Sequence, residues 1–135
     1  MLGEKIYETT AKVTGTRVIP QEGSGVGIEV SFQGTSKLLG AEATEIGTYH
    51  SMMRASGSLY GQGEGITVGK QGEMAHWKGF GVGKPTGKGL GAIYRYAVSF
   101  ETTSEKWARL NGCILVGEWE VDENGNARGG AWEWK

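Results

Sequence analysis

Two short stretches of this chain place glycine at every second position, over residues 61–65 and again over residues 79–83. Because successive side chains of a β-strand point to opposite faces, this spacing leaves one face of each strand without side chains. Glycine inside a strand weakens it, so such rows usually mark sharp bending or the close approach of another group. The two stretches predict a strongly coiled antiparallel hairpin in a small closed β-barrel.

The composition supports a packed domain. Glycine supplies 25 of the 135 residues, far above the usual ~7%. Only two residues are proline and no three-residue period is present, which excludes a collagen-like chain and a typical disordered linker. Five tryptophans and five tyrosines favour a folded core. We expect one domain over residues 1–135, with a single core.

Alternation of apolar and polar residues predicts further strands on both sides of the hairpin. Tight turns are predicted over residues 19–25 and 84–89 and at the Asn-Gly pair 124–125. Residues 103–110 break the period of two, and we expect a single helical turn there, capped by Ser104. About eight short strands favour an all-β, closed antiparallel up-and-down barrel over a sandwich. The predicted strands cover residues 4–17, 26–38, 42–55, 59–68, 74–83, 90–102, 112–121 and 131–135.

Charge and cysteine content exclude several classes of protein. The formal net charge is -1, from 14 basic and 15 acidic residues, which argues against nucleic-acid binding. The uninterrupted apolar runs are only a few residues long, too short to cross a membrane. The single cysteine, Cys113, allows no internal disulfide, and the first ten residues do not resemble a signal peptide. We therefore expect a cytoplasmic protein.

No motif for a metal or a cofactor is present in the sequence. His50, His76 and Cys113 lack the spacing of paired metal ligands. Residues 81–89 have the residue types of a phosphate-binding loop without its spacing. Residues 87–92 match a relaxed dinucleotide motif but precede a predicted strand instead of a helix. We expect no metal site and no cofactor.

The last third of the chain resembles a known family. A long strand, the turn at residues 103–112 (TSEKWARLNG) and a closing strand led by Gly112 are similar to the end of allene oxide cyclase-like barrels. That group includes plant dirigent proteins and bacterial proteins of unknown function. The resemblance covers about the C-terminal two-thirds and includes the glycine-alternating hairpin. It implies an eight-stranded barrel with an apolar lumen, often oligomeric, and in some members cofactor-free cyclisation of a reactive apolar substrate. No catalytic motif of the cyclases matches residue by residue.

The candidate catalytic residues are ionisable groups on strands that also carry apolar side chains. A carboxylate inside an apolar barrel has a raised pKa and can act as a general acid or base, while Tyr, His or Arg orients the substrate. The alternative is that the glutamates reach solvent near strand ends and that the histidine and arginine join an ion-pair network at the rim. The catalytic candidates are Glu118, Glu64, His50, Arg54 and Tyr94.

The aromatic residues allow two interpretations. They line a pocket for an apolar or ring-shaped ligand, or they fill a barrel whose glycines contribute no volume. A third use, stacking on the bases of single-stranded nucleic acid, is disfavoured by the nearly neutral charge. Tryptophans 132 and 134 have a further use in contact with a neighbouring subunit of a homo-oligomer. The predicted ligand-binding residues are Tyr96, Trp77, Phe100, Tyr60 and Met52.

Together these features predict a barrel that holds a small apolar molecule in its lumen. Three functions fit such a barrel: a cofactor-free cyclase or isomerase, a non-catalytic binding protein, and a structural module with a filled core. The sequence does not determine which strand faces point inward. An apolar cavity of about 300 Å³ or more would favour a ligand site, whereas a solid lumen would exclude one.

Overall fold

The computed structural model describes residues 1–23 and 25–135. It shows a closed barrel of eight antiparallel strands, in which each strand pairs with its neighbours in sequence and the last pairs with the first. This confirms the predicted all-β up-and-down barrel. The strands are β1 (Leu2–Ile19), β2 (Val26–Leu38), β3 (Ala41–Met53), β4 (Leu59–Gly69), β5 (Met74–Pro85), β6 (Ala92–Thr102), β7 (Leu115–Val121) and β8 (Asn126–Trp134), with a 3₁₀ helix (Glu105–Leu110) between β6 and β7.

The last two strands begin at different residues than the sequence predicts. β8 starts at Asn126 instead of residue 131, because the Asp122 carboxylate accepts hydrogen bonds from the backbone N–H groups of Asn124 and Asn126 and completes the reversal there. β7 starts at Leu115 instead of residue 112, because Gly112 has a φ of 82° and still belongs to the preceding turn. The Asn-Gly turn itself is where the sequence predicts it.

The predicted helical turn is present as the 3₁₀ helix, but its N-cap differs from the expectation. The Ser104 side chain makes no capping hydrogen bond. Instead, the backbone N–H of Ser104 donates to the Thr102 hydroxyl, so the side chain at the end of β6 orders the start of the turn. The predicted turn over residues 19–25 includes Ser24, which lies outside the described residues.

Both glycine rows face the lumen. Along β4 and β5 the glycines alternate with outward side chains such as Gln62 and Phe80, and the Phe80 side chain is 56% exposed. The two rows lie side by side, with Gly61 paired to Gly81 and Gly63 to Gly79. One wall of the barrel interior is therefore bare backbone.

Aromatic rings from neighbouring strands occupy the space that the glycines leave. A methyl group on Gly83 would lie 2.6 Å from the Tyr94 ring, and one on Gly117 would lie 2.7 Å from the Tyr96 ring. Real Cβ atoms essentially never approach another heavy atom within 3.0 Å. The glycines thus allow aromatic rings to approach the backbone closely, which is one of the two roles that the sequence predicts for them.

Two clusters of buried side chains fill the ends of the barrel. At one end the fully buried Trp107 and Leu110 of the 3₁₀ helix pack with Leu38 and Leu115. The other cluster is built around Phe32, Trp119 and residues of β6 and β8. Among residues 1–23 and 25–135, no helix is long and apolar enough to cross a membrane.

Candidate functional site

A cavity of about 100 Å³ lies in the lumen between the two clusters. We call it the lumen cavity. Phe32 and Trp119 of one cluster and Tyr7 and Phe100 of the other contribute to its wall. Nine of its fifteen lining residues are aromatic, including the outward-pointing Phe80. The glycine rows of β4 and β5 form another part of the wall. The site is therefore a small aromatic chamber with almost no polar surface.

A buried carboxylate lies behind this chamber. Glu45 of β3 has no exposed surface and accepts hydrogen bonds from the Tyr7 hydroxyl at 2.8 Å, the Thr67 hydroxyl at 2.9 Å and the indole N–H of Trp77. Tyr7 and Trp77 also line the lumen cavity. They separate the carboxylate from the chamber and connect the two through hydrogen bonds.

Burial dominates the acid–base properties of this network. Loss of solvent raises the pKa of Glu45, and the hydrogen bonds from Trp77, Tyr7 and Thr67 partly offset that effect because they favour the charged form. Burial and the nearby Glu45 carboxylate together hold the pKa of Tyr7 well above its ordinary value. At neutral pH the tyrosine therefore keeps its proton, and the carboxyl is the group that can titrate.

The raised pKa of Glu45 predicts a specific pH dependence of stability. The unfolded chain has an ordinary carboxyl, with a pKa of about 4.3, so the contribution of this residue to stability is complete below that pH and is lost as the pH rises through the raised value. Glu45→Gln removes the titration. In urea unfolding at a series of pH values, we expect the variant to gain stability relative to the wild type as the pH rises above about 4. Parallel profiles for the two proteins would contradict this assignment.

Three further tyrosines bring hydroxyl groups into the chamber wall. Tyr94 Oη and Ser51 Oγ are 2.6 Å apart and share a hydrogen bond, and Tyr49 Oη accepts one at 3.3 Å from the indole of Trp119. Tyr96 also lines the cavity. Burial raises the pKa of all three tyrosines, so they act as neutral phenols.

Four of the residues predicted from the sequence line the lumen cavity. They are Tyr94, Trp77, Phe100 and Tyr96. Three of them come from β6, whose regular alternation puts every second side chain inside, while Trp77 continues the lumen-facing row of glycines on β5. Their roles in binding or catalysis remain predictions, and the position of all four is compatible with those roles.

The two predicted catalytic glutamates lie on the outer surface. Glu118 is paired with Arg95 on the neighbouring strand, at 3.3 Å. Glu64 lies 3.6 Å from His76 and 3.9 Å from Lys78. The residues beside them along each strand point inward, so both glutamates reach solvent, as the alternative interpretation of the sequence holds. They do so from the middle of their strands and not near the strand ends. Their assignment to catalysis stays a prediction that this placement does not favour.

The remaining predicted residues are also outside the lumen. His50 makes a 3.0 Å contact with the Glu29 carboxylate on the exterior. Arg54 follows β3 in a turn, where its side chain donates to a serine hydroxyl and lies 5.8 Å from the ring of Tyr60. Tyr60 and Met52 are cross-strand partners on the outer face. The rim network that the sequence suggests for His50 and Arg54 is therefore two separate surface contacts.

Sequence reasoning missed the buried network around Glu45. A signal for it exists, because Gly47 pairs with Gly65 of the glycine row and Glu45 pairs with Thr67 two positions further on. Residues of β3 with the same parity as Gly47 must face the lumen with the glycines. The register between the two strands is needed to use that signal, and the sequence does not provide it. Among residues 1–23 and 25–135, no group of three potential ligands could hold a metal ion.

Comparisons with known proteins find similar folds but assign the chain to no family. No protein-family model matches the chain, and no curated protein matches it. A conserved protein of unknown function from Rhodopseudomonas palustris has a TM-score of 0.82 at 14% identity, covering 98% of this chain and 97% of that one. A beta-barrel like protein from Acinetobacter baumannii AYE has a TM-score of 0.82 at 14% identity, with 100% and 96% coverage.

A third solved structure is an enzyme from Penicillium herquei. It has a TM-score of 0.66 at 17% identity and covers 96% of this chain and 92% of that one. At such identities the similarity shows the fold alone. The comparisons support a small β-barrel, and the narrower resemblance to allene oxide cyclase-like proteins remains a prediction.

Proposed function

We propose that this protein handles a small molecule with an apolar surface, which it holds in the lumen cavity. The observation that carries the proposal is the chamber itself: nine aromatic residues and the bare backbone of two glycine rows line an open space. Interiors are normally packed to the density of organic crystals. A space left between two well-packed clusters is the feature that a ligand-binding barrel needs.

The size of the chamber limits the ligand. At about 100 Å³ it is smaller than the ~300 Å³ typical of pockets for drug-sized molecules. It is also smaller than a ~150 Å³ engineered apolar cavity that binds benzene. The aromatic side chains thus fill most of the lumen without closing it. We expect a ligand of at most about six non-hydrogen atoms, the size of benzene, or one small group of a larger molecule.

Backbone NMR with benzene as the probe tests the proposal. The amides of Gly61, Gly63, Gly79 and Gly81 lie in the cavity wall, and a ring that binds beside them shifts their signals strongly. Gly15 has nothing within 4 Å of the position of a Cβ and serves as the internal control. We expect saturable shifts at the four wall glycines and none at Gly15. Uniform or absent shifts would contradict the proposal.

A single methyl group should weaken this binding without disturbing the fold. A Cβ on Gly61 would meet its nearest neighbours, in His50 and Tyr94, at ordinary contact distances of 3.5 and 3.6 Å. We expect Gly61→Ala to change the free energy of unfolding by no more than about 0.5 kcal/mol. Because the methyl group occupies cavity space, we expect benzene affinity to fall about fivefold. Unchanged affinity in the same NMR titration would show that benzene binds elsewhere.

Catalysis is a second candidate function, and the Tyr7–Glu45 pair is the observation that favours it. A buried carboxyl with a raised pKa, linked by a hydrogen bond to a hydroxyl in the wall of a cavity, is a typical arrangement for proton transfer. A cofactor-free isomerase or cyclase of the allene oxide cyclase-like kind could use this pair, with Tyr94 as a further polar group. If the barrel is such an enzyme, Glu45→Gln abolishes turnover and retains benzene binding; turnover that survives this change would exclude the pair from catalysis.

A further inference from the structure

We propose that the natural ligand is a small methylated ammonium cation, held by the aromatic rings of the lumen cavity and balanced in charge by Glu45. This inference rests on the proposed function and specifies the chemistry of the ligand. Three observations carry it: an uncompensated buried carboxylate, an aromatic wall without charged groups, and the scarcity of hydrogen-bonding surface in the chamber.

The buried carboxylate lacks a positive partner. All three of its hydrogen-bond donors, Tyr7, Thr67 and Trp77, are neutral. No Lys, Arg or His among residues 1–23 and 25–135 lies within ion-pair distance of Glu45, whereas eleven other contacts of that kind occur elsewhere in the described chain. A buried carboxyl without a positive partner is favoured in its neutral form, whereas a buried carboxylate is normally paired with a positive charge. A cation in the adjoining cavity would supply the missing partner.

The wall of the cavity suits a positive charge. Aromatic faces carry negative electrostatic potential and attract cations, most strongly where water is excluded. None of the fifteen lining residues is charged, so no basic side chain repels a cation and no acidic side chain binds it at one fixed point. Tyr7 and Trp77 contact both the cavity and the Glu45 carboxylate. They place the negative charge one side chain away from the ligand.

The scarcity of polar surface selects the type of cation. A primary ammonium carries three N–H donors that must find acceptors when it leaves water. The side-chain acceptors in the wall are tyrosine hydroxyls and Gln62, and the hydroxyls of Tyr49 and Tyr94 already take part in hydrogen bonds. The Glu45 oxygens are separated from the chamber by their own donors. A methylated ammonium has an apolar surface and spreads its charge over the methyl groups, so it needs no acceptor. Recognition of such groups by several aromatic rings is an established use of this interaction. The trimethylammonium group is also comparable in size to the small rings considered above.

The charge on Glu45 sets an expected pH dependence. The other titratable groups that face it are Tyr7 of β1 and Tyr96 of β6, and its negative charge helps raise the pKa of both. Both stay protonated over the accessible pH range, so Glu45 is the member of this group that titrates. A cation binds best when the carboxyl is ionised. Its affinity should therefore rise with pH through the titration of Glu45, while that of a neutral ligand stays constant.

The decisive experiment compares choline with 3,3-dimethylbutan-1-ol, a neutral molecule of nearly the same shape. Affinities are measured by NMR titration of the wild-type protein and of Glu45→Gln at constant ionic strength. We expect the wild type to prefer choline by about tenfold or more, and we expect the variant to lose that preference for choline over the neutral alcohol. The pH series on the wild type gives a second readout that needs no variant, in case the substitution impairs folding.

The outcomes separate this inference from the proposed function. Equal or tighter binding of the neutral alcohol by the wild type would overturn the cation assignment and leave the lumen site intact. A choline preference that persists in Glu45→Gln, or that does not change with pH, would overturn the role of the carboxylate. If neither molecule binds while benzene does, the cation assignment fails alone. If benzene also fails to bind, the lumen site fails as well.

Discussion

Replacing Gly65 with alanine should destabilise the barrel by about 3 kcal/mol, near the upper end of the usual cost of overpacking a core. The added Cβ would lie 2.6 Å from the indole ring of Trp77 and even closer to the backbone oxygen of Ile46. The backbone atom belongs to the neighbouring strand and cannot move without disturbing the sheet. The indole cannot turn away either, because its N–H is bound to Glu45. The free energy of unfolding in urea measures the effect.

Gly15→Ala is the matched control for that change. Gly15 also lies in a strand, its φ is outside the left-handed region, and no atom lies within 4 Å of the position of a Cβ. Both variants lose the same backbone freedom in the unfolded chain, so the difference between them isolates the contacts of the added Cβ with Trp77 and with the Ile46 backbone. We expect Gly15→Ala to stay within about 0.5 kcal/mol of the wild type. Equal stability of the two variants would show that the glycine row does not make room for the ring.

Truncating Trp107 to alanine should cost about 4 kcal/mol, the usual range for deleting a large aromatic side chain from a core. Trp107 is fully buried in the 3₁₀ helix and packs in the cluster that fills one end of the barrel. Because the helix has only six residues, it has little stability of its own and depends on this packing. Loss of the side chain therefore removes apolar contact and opens that end of the lumen. Urea unfolding gives the stability, and amide hydrogen exchange of residues 105–110 reports the local opening.

Trp107→Phe distinguishes packing from hydrogen bonding at this position. The indole N–H of Trp107 has no hydrogen-bond partner among the described residues, so phenylalanine removes an unsatisfied donor and keeps most of the apolar surface. We expect a loss of only about 1 kcal/mol, because the relief of that donor offsets part of the lost contact. A loss as large as that of the alanine variant would show that the indole nitrogen has a bonding role.

The fold could be predicted because its signals are local. Alternation along β2 and β6, turn chemistry at the Asn-Gly pair, and the glycine rows each act over a few neighbouring residues, and all agree on short antiparallel strands. The closing strand was predicted too short because the Gly129–Gly130 pair interrupts its alternation. Backbone pairing with β1 continues through these glycines, so the ladder extends further than the side-chain pattern indicates.

The cavity could be predicted only where a strand alternates without interruption. β6 is regular, and three of its residues line the lumen as the sequence suggests. β1 is irregular: its register with β8 shifts between Lys5 and Tyr7, and the adjacent Ile6 and Tyr7 are both buried. A period of two therefore cannot show that Tyr7 points inward. Whether Glu45, the hydrogen-bond partner of Tyr7, points inward depends in turn on the register of β3 against β4.

The two glutamates on the outer surface also show that the side-chain pattern of a strand does not determine which face points inward. Glu64 and Glu118 share their faces with apolar residues, which suggested an inward orientation. In the barrel the opposite faces, made of glycines on β4 and of residues such as Trp119 on β7, point inward. The glycine face of β4 carries no side chains and therefore shows no hydrophobic pattern, although it forms part of the cavity wall. Pattern alone could not choose between the two faces.

The barrel contains an apolar space between its two clusters, and a crystal structure under xenon pressure tests this most directly. Xenon enters dry apolar cavities without needing any polar contact. We predict one xenon atom in the lumen, between the rings of Phe32 and Trp119 on one side and Tyr7 on the other, with lower occupancy in Gly61→Ala. A lumen filled by side chains, with no xenon inside it, would contradict the account.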